Sequence, residues 1–392
     1  MTAHFIIPPY LLKHLEQTVD DPGLRAVFGQ SLQQDRAFRA RLAVPSPALR
    51  AEAQAAAGLN RVVHDAERER TLPGRKVRAE GDPPSEDAAV NEAYDGTGAT
   101  WKMFSECFGR DSIDGAGMPL HSTVHYDRDY ANAFWDGAQM VFGDGDGVIF
   151  QGFTRSIDVT GHELAHGVTQ HTADLVYEGQ SGALNESMSD VFGSLAKQHH
   201  LGQSAAEADW IIGADLFAPG VNGVGLRSMK EPGSAYDDPR LGKDPQPGHM
   251  DDYVETEDDN GGVHINSGIP NRAFYLAATE LGGNAYGDAG KIWYHALTSG
   301  KVSSTATFAE FAQVTIDSAT ELHGAESTQN KAVRAAWQQV GVTPKAAGSD
   351  TDLVQTARLG LDPDRPLNAS PQQAGEKAHR PAAPTTGPEL SR

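Results

Sequence analysis

The stretch Gly161-His162-Glu163-Leu164-Ala165-His166-Gly167 places two histidines four positions apart, with a glutamate directly after the first. On a helix, positions i and i+4 lie on the same face, so both imidazoles can reach one cation. Glu163 lies beside that pair and can contact a metal-bound water. The pattern fixes only three positions in five, and it also occurs by chance on surface helices.

A second stretch downstream supplies a candidate third ligand. A catalytic zinc site takes three protein ligands and leaves one position open for water. Gly182-Ala183-Leu184-Asn185-Glu186-Ser187-Met188-Ser189-Asp190 offers Glu186, 20 residues after His166. That separation lets one helix end and a second return alongside it. Asp190, one turn further on, can accept a hydrogen bond from a ligand histidine and fix its tautomer. Either carboxylate could instead be an ordinary acid on a helix surface.

A third stretch contains another histidine, in Asp259-Asn260-Gly261-Gly262-Val263-His264-Ile265-Asn266-Ser267-Gly268. The paired glycines suit a tight turn that presents His264, and Asp259 could orient its imidazole. His264 could then donate a hydrogen bond to an oxyanion. The alternative is an ordinary loop histidine.

The charge of the chain limits its partners. The 392 residues carry a net charge of −21, and residues 61–342 hold 20 basic and 42 acidic residues, whereas residues 1–60 and 343–392 are nearly neutral. Nucleic acids and anionic membrane surfaces bind basic patches, so neither is expected as a partner. The excess carboxylate is consistent with a solvated surface, with binding of hard cations, or with repulsion of acidic substrates. A single cysteine excludes an intrachain disulfide.

The pattern of residue types along the chain predicts helices, β-strands, a connector and a tail. A helix is expected over Tyr10–Gln17, and the alanine-rich Ala51–Gly58 reads as an exposed connector. From Arg61 onward, short β-like runs alternate with Gly and Asp turns, which favours antiparallel sheet. These runs are Thr123–Tyr126, Gln139–Phe142 and Val148–Phe150. Helical patterns then dominate, and the proline-rich segment after Thr343 reads as a disordered tail. The predicted helices are Ile269–Leu281, Gly290–Leu297, Phe308–His323 and Lys331–Val340.

Together, these motifs resemble those of the thermolysin-like neutral zinc metallopeptidases. The resemblance spans roughly residues 61–342 and includes Asn132-Ala133-Phe134-Trp135 and the Gly-Asp-Gly-Asp-Gly turn at 143–147. The short start Ile-Ile-Pro-Pro-Tyr-Leu-Leu at 6–12 resembles the protealysin branch, which has a short pro-segment. The resemblance implies an α+β, two-lobed fold with the zinc site between the lobes. It divides the chain into a pro-segment with linker (1–60), a β-rich lobe carrying the histidine helix (61–178), an α-helical lobe (179–342) and the tail (343–392).

The resemblance also assigns roles in the reaction. It makes His162, His166 and Glu186 the zinc ligands, Glu163 the general base, and Asp190 the partner of His162. The enzyme would be an endopeptidase that hydrolyses internal bonds of protein or peptide substrates.

Further positions match residues that bind the substrate. Tyr177 and His264 would stabilise the oxyanion, with Asp259 holding His264, and Arg227 would bind a substrate carbonyl on the primed side. Asn132 and the backbone of Ala133 would hold the peptide as an added strand. The pocket for the residue after the scissile bond would be lined by Phe150, Phe153, Val159 and Leu226. Because Phe153 is bulky, we expect hydrophobic residues of moderate size there.

The calcium pattern of the family is broken in this sequence. Asp158 and Asp209 match two positions of the usual double calcium site, but the other matching positions hold Lys197, Ile211 and Ala214. Calcium takes 6–8 oxygen ligands, and a lysine would repel it. We therefore expect calcium to be weak or absent there, with the Lys197 ammonium pairing with Asp158 or Asp209.

The N-terminal 60 residues have two interpretations, an inhibitory pro-segment removed near Ala55–Asn60 or a folding appendage that is retained. The resemblance implies secretion, but the N-terminus is not a conventional secretory signal, so synthesis in the cytoplasm with non-classical export is a possibility. Two other functions stay open at this point, a non-catalytic binding protein and a zinc hydrolase acting on another amide, such as a peptidoglycan cross-link.

Overall fold

The computed structural model describes residues 4–39 and 58–345. The predicted connector, Ala51–Gly58, lies outside these residues except for Gly58. The predicted tail lies outside them from residue 346 onward. Within them, no helix combines the length and the apolar character that crossing a bilayer requires.

A six-stranded sheet forms the first half of the structure, in the spatial order β1-β5-β6-β4-β2-β3. Its strands are β1 (His4–Phe5), β2 (Arg61–Asp65), β3 (Arg75–Ala79), β4 (Leu120–Val124), β5 (Ala133–Trp135) and β6 (Met140–Phe142). Short two-stranded pairings follow later in the chain, formed by β7 (Ile211–Ile212) with β8 (Arg227–Ser228) and by β9 (Asp237–Asp238) with β10 (Gly242–Lys243).

The prediction of antiparallel sheet is correct for the pairs β1–β5, β2–β3 and β5–β6, but it is wrong for β4, which pairs in parallel with both β2 and β6. A parallel pairing needs a crossover connection. The connection from β2 to β4 contains β3 and then helix α3 (Ala88–Phe108), which was not predicted. Asp87 caps its first turn by accepting a hydrogen bond from the backbone of Ala89, and Gly109 ends it in the left-handed conformation.

The predicted strand at Val148–Phe150 is also wrong. Only Phe150 takes part in pairing, through an isolated bridge to Phe217. The preceding Asp146 carboxylate accepts hydrogen bonds from the backbone amides of residues 148, 149 and 150. These amides are therefore satisfied within a turn and do not join a sheet ladder.

Helices form most of the second half and closely follow the predicted patterns. Within residues 4–39 and 58–345 the helices besides α3 are α1 (Pro9–Thr18), α2 (Pro22–Arg39), α4 (Ile157–Gln170), α5 (Gly179–Leu201), α6 (Asp259–Asn266), α7 (Gly268–Leu281), α8 (Asp288–Thr298), α9 (Phe308–His323) and α10 (Thr328–Gln339), with short 3₁₀ turns at Phe153–Arg155 and Met250–Asp252.

Helices α4 and α5 cross at two glycines. A Cβ atom on Gly193 of α5 would lie 2.4 Å from the carbonyl oxygen of Asp158 and 3.0 Å from the amide nitrogen of His162, both on α4. A Cβ atom on Gly161 would lie 2.9 Å from the Cα of Gly193. The two backbones approach this closely because neither helix carries a side chain at the crossing.

The N-terminal segment packs against the rest of the fold. Strand β1 pairs antiparallel with β5, with His4 opposite Trp135 and Phe5 opposite Phe134. Pro8 and Pro9 then lead into α1, whose Leu11, Leu12 and Leu15 are buried. The segment therefore completes one edge of the sheet and shares the core.

The crossing gives a prediction about stability. In Gly193→Ala the added methyl group meets backbone atoms that cannot rotate away, so we expect the free energy of unfolding to fall by about 1–3 kcal/mol. Alanine would otherwise favour a helix by about 1 kcal/mol over glycine. Urea denaturation measures the change, with Gly152→Ala as control, since a Cβ there has no neighbour nearer than 3.7 Å. A Gly193→Ala protein as stable as the parent would contradict this account of the crossing.

Candidate metal centre

Two histidine side chains on α4 converge on one point. The Nε2 atoms of His162 and His166 lie 3.0 Å apart, and the two rings are nearly perpendicular. Both side chains are almost completely buried. Their spacing of one helical turn places them on the same face of α4, as the sequence predicted.

Glu186, on α5, faces the same point. Its Oε2 lies 3.5 Å from Nε2 of His162, and its Oε1 lies 3.4 Å from Nε2 of His166. The carboxylate is fully buried, and Oε2 has no hydrogen-bond partner among the described residues. A buried carboxylate oxygen without a partner is costly, so this donor set fits a bound metal ion.

The outer nitrogens of both histidines are held by acceptors on α5. Nδ1 of His162 lies 2.8 Å from Oδ1 of Asp190, and Nδ1 of His166 lies 2.8 Å from Oδ1 of Asn185. Since Asp190 and Asn185 each accept a hydrogen bond from Nδ1–H, the proton stays on Nδ1 and each Nε2 presents its lone pair to the metal position. Sequence reasoning missed Asn185, although its place directly before Glu186 was a usable signal.

The pKa shifts of His166 and Glu163, both on α4, suit a metal site with an adjacent base. Burial, together with the neighbouring His4 and His162, lowers the pKa of His166, which favours the neutral, metal-binding imidazole. Burial, together with the Glu186 carboxylate, raises the pKa of Glu163. Oε2 of Glu163 accepts a hydrogen bond from the backbone amide of Trp135 at 3.1 Å, which the sequence did not indicate.

Tyr177 and His264 lie beside Glu186. The Tyr177 hydroxyl donates a hydrogen bond to Oε1 of Glu186 and lies 3.3 Å from Nε2 of His264. Nδ1 of His264 lies 2.7 Å from Oδ1 of Asp259. Although burial alone would lower the pKa of His264, the carboxylates of Asp259 and Glu186 raise it.

The predicted glycine turn before His264 is present and is left-handed. Residues 259–262 all have positive φ angles, between 52° and 80°, inside helix α6. The two glycines tolerate this conformation without strain, and the turn brings the Asp259 carboxylate back to both the backbone and the ring of His264.

Asp190 connects the histidine pair to an arginine. Nε and Nη2 of Arg227 lie 2.8 Å from the two carboxylate oxygens of Asp190, and Nδ2 of Asn271 donates to the same carboxylate. Burial alone would raise the pKa of Asp190, but Arg227 and His162 hold it far below its usual range. Asp190 is therefore ionised, which favours the proton on Nδ1 of His162.

The N-terminal segment lies in the groove between these groups and β5. The backbone amide of Ile6 donates a hydrogen bond to the carbonyl of Ala133. The carbonyl of Ile6 accepts a hydrogen bond from Nη1 of Arg227 at 3.3 Å. The amide and carbonyl of Ile7 both bond to the side chain of Asn132. The carbonyl oxygen of Phe5 lies 3.1 Å from Nε2 of His264. The segment thus bonds with the side chains and the backbone that were predicted to hold a substrate.

The four residues predicted to line a specificity pocket are fully or almost fully buried. Ile6 and Ile7 belong to the same buried cluster as these four residues, Phe150, Phe153, Val159 and Leu226. Phe28 of α2 adds a ring whose centroid lies 6.4 Å from that of Phe150.

At the positions of the usual calcium site the predicted pairing of Lys197 is confirmed. Its Nζ lies 3.2 Å from Oδ2 of Asp158, 2.8 Å from Oδ2 of Asp209 and 3.3 Å from the carbonyl oxygen of Ile211. Although burial would lower the pKa of Lys197, the two carboxylates raise it, so the side chain carries a positive charge.

Comparison with known proteins identifies the family. Residues 59–170 match the catalytic domain of thermolysin metallopeptidases, and residues 173–342 match their alpha-helical domain. An extracellular metalloprotease of Pectobacterium carotovorum subsp. carotovorum is 50% identical over 337 residues, covering 86% of this chain and 96% of its own. Protease PrtS of a Photorhabdus strain is 48% identical over 352 residues, covering 88% and 94%.

A solved structure is also similar. It is the precursor of protealysin, a metalloproteinase from Serratia proteamaculans, with 50% identity and a TM-score of 0.80, and the match covers 87% of this chain and 100% of that one. The chain therefore belongs to the thermolysin family of metallopeptidases and is a metalloendopeptidase. The predicted family and the two-lobed α+β fold are confirmed, and the family implies zinc as the metal.

Proposed function

We propose that His162, His166 and Glu186 hold the zinc ion of this endopeptidase and that Glu163 is its general base. The observation that carries the proposal is the convergence of three buried donors from α4 and α5 on one point, with their outer atoms already fixed. Three protein ligands and one open position are the arrangement of a catalytic zinc site.

Zinc, when bound, lowers the pKa of a water molecule and polarises the scissile carbonyl. Glu163, whose pKa is raised by burial, accepts the proton from the attacking water and returns it to the leaving amine. Its hydrogen bond from Trp135 fixes one carboxylate oxygen, so the other can exchange the proton.

The remaining groups act on the substrate carbonyls and backbone. As the scissile carbonyl gains negative charge, His264 donates a hydrogen bond to it, and its raised pKa keeps Nε2 protonated. The Tyr177 hydroxyl, which donates to Glu186 in this structure, turns to donate to the same oxygen. Arg227, Asn132 and the Ala133 carbonyl hold the substrate backbone in an extended conformation.

Glu163→Gln should abolish peptidase activity while zinc stays bound, because the amide keeps the size of the side chain but cannot accept a proton. General-base catalysis contributes roughly 10²–10⁴-fold, so a loss of at least that size is expected. Casein hydrolysis and zinc content per chain are measured together, with chelator-treated parent enzyme as the reference for lost metal. Substantial residual activity would refute the assignment of Glu163 as the general base.

We also propose that residues 1–60 are an inhibitory pro-segment, followed by lobes at 61–178 and 179–342 and by a tail at 343–392. Support comes from the backbone bonds of Phe5, Ile6 and Ile7, which fill the groove that a substrate strand would need. The solved relative is likewise described as a precursor.

Mass spectrometry of the fully active enzyme should therefore show a chain that has lost Met1 and the segment up to the region of residues 55–60. Inactive protein from the same preparation serves as the control and should retain the segment. Intact Met1 in fully active enzyme would exclude the pro-segment and support a retained folding appendage.

The pocket lined by Phe150, Phe153, Val159 and Leu226 is proposed to select the residue after the scissile bond. Ile6, whose carbonyl bonds to Arg227, is a fully buried aliphatic residue of the segment that lies in the groove, which supports a hydrophobic preference. Phe153→Ala should enlarge the pocket and shift cleavage toward larger side chains such as phenylalanine. Sequencing of casein fragments from both enzymes measures the shift, and an unchanged profile would remove Phe153 from the pocket.

We propose that Lys197 replaces a calcium ion between Asp158 and Asp209. Its ammonium already pairs with both carboxylates, so calcium at low millimolar concentration should shift the melting temperature by no more than about 1–2 °C, the size that about 1 kcal/mol produces in a chain this long. Differential scanning calorimetry with calcium, and with magnesium as control, tests this. A large rise specific to calcium would contradict the replacement.

Finally, we propose that the enzyme acts outside the cell on protein or peptide substrates, since one of its relatives is named an extracellular metalloprotease. The acidic catalytic block disfavours nucleic acid or an anionic membrane as partner. Fractionation of the producing cells tests the location, and activity confined to the cytoplasm would contradict it.

A further inference from the structure

We propose that His4 of the N-terminal segment is an additional zinc ligand in the precursor and occupies the coordination position that catalysis needs for water. The inference rests on the proposed function, because it assumes the zinc ion to be held by His162, His166 and Glu186. It assigns the segment a chemical action on the metal beyond filling the groove.

His4 lies directly against the metal site. Its imidazole stacks on that of His166, with ring centroids 4.2 Å apart and an interplanar angle of 14°, and it meets the ring of Tyr177 edge-on at 4.4 Å. The residue is only 7% exposed. An imidazole is thus buried at the mouth of the site, next to a proposed ligand and a proposed oxyanion donor.

The donor atoms of His4 are within reach of the same ion. One ring nitrogen of His4, one of His166 and one carboxylate oxygen of Glu186 all lie within 4.8 Å of one another. Ligands of a tetrahedral zinc ion with bonds of about 2.0–2.1 Å are separated by about 3.3 Å. Because 4.8 Å exceeds that separation, a turn of the His4 side chain about its χ angles is the movement that would bring its nitrogen to the ion.

The backbone of the segment delivers His4 to this place. Strand β1 sets His4 opposite Trp135, and the next carbonyl, that of Phe5, bonds to His264. The following residue, Ile6, bonds to Ala133 and Arg227. Because the chain is fixed on the C-terminal side of His4, its imidazole is presented to the site at high effective concentration, and it leaves when the segment is removed.

The chemistry of this closure is that of a structural zinc site. Four protein ligands leave no position for water, so a four-ligand site is catalytically silent. Residues 1–60 contain no cysteine and have two histidines, His4 and His14. Imidazole is therefore the strongest neutral metal ligand that the segment can offer, and His4 is the one placed at the metal.

The experiment counts histidine ligands in the full-length precursor carrying Glu163→Gln, which keeps the segment uncut. X-ray absorption spectroscopy of the zinc-loaded protein should show three imidazoles in this parent. His4→Phe keeps an aromatic ring to stack on His166 but removes the donor, and it should show two. His14→Ala, a histidine change in the same segment away from the metal, should still show three.

A second measurement uses the rate of zinc transfer to a chelator. Loss of a ligand should speed zinc release at least 10-fold in His4→Phe relative to the parent and to His14→Ala. One zinc per chain with two imidazoles in the parent, or equal release rates in all three proteins, would overturn the role of His4 and leave the proposed zinc site standing. Failure of the parent to bind one zinc ion would overturn both.

Discussion

The close crossing of helices α4 and α5 controls the positions of the side chains that face the metal site. Gly161 and Gly193 let the two backbones meet, and this brings the histidines of one helix within 3.5 Å of the glutamate of the other. The same approach places Asp190 and Asn185 on the outer nitrogens of those histidines. A wider crossing would lose the convergence of the donors and the control of their tautomers together, because both depend on one interhelical distance.

The second constraint is the cost of burying charge. Glu163, Glu186 and Asp190 are three carboxylates with no solvent exposure, and such groups need compensation. Arg227 neutralises Asp190 through two hydrogen bonds, while a dication would compensate Glu186 and stabilise the ionised form of Glu163. Lys197 likewise compensates the buried charge of Asp158, near the N-terminal end of α4, through an ion pair. The net charge of −21 thus includes a few buried acids with dedicated partners, and most of the excess lies on the surface.

Much of this architecture could be predicted from local sequence, and the failures share a cause. Helices such as Phe308–His323 were predicted correctly because their apolar periodicity and end signals are local. Helix α3 and the parallel pairings of β4 were missed, since parallel pairing depends on which strands a crossover brings together. At the site, Glu186 could be found by motif, but the amide of Trp135 on Glu163 and the ring of His4 on His166 join residues far apart in sequence. Such contacts depend on how distant elements pack together, and the spacing of residues along the sequence does not predict that packing.

The central claim is that α4 and α5 build one zinc site from His162, His166 and Glu186. Its most direct test is anomalous diffraction at the zinc edge from crystals of the inactive Glu163→Gln protein. The account predicts one strong peak bonded to Nε2 of both histidines and to the Glu186 carboxylate, at about 2.0–2.2 Å. A zinc ion bound elsewhere, or a peak at this position that lacks any one of these three ligands, would contradict it.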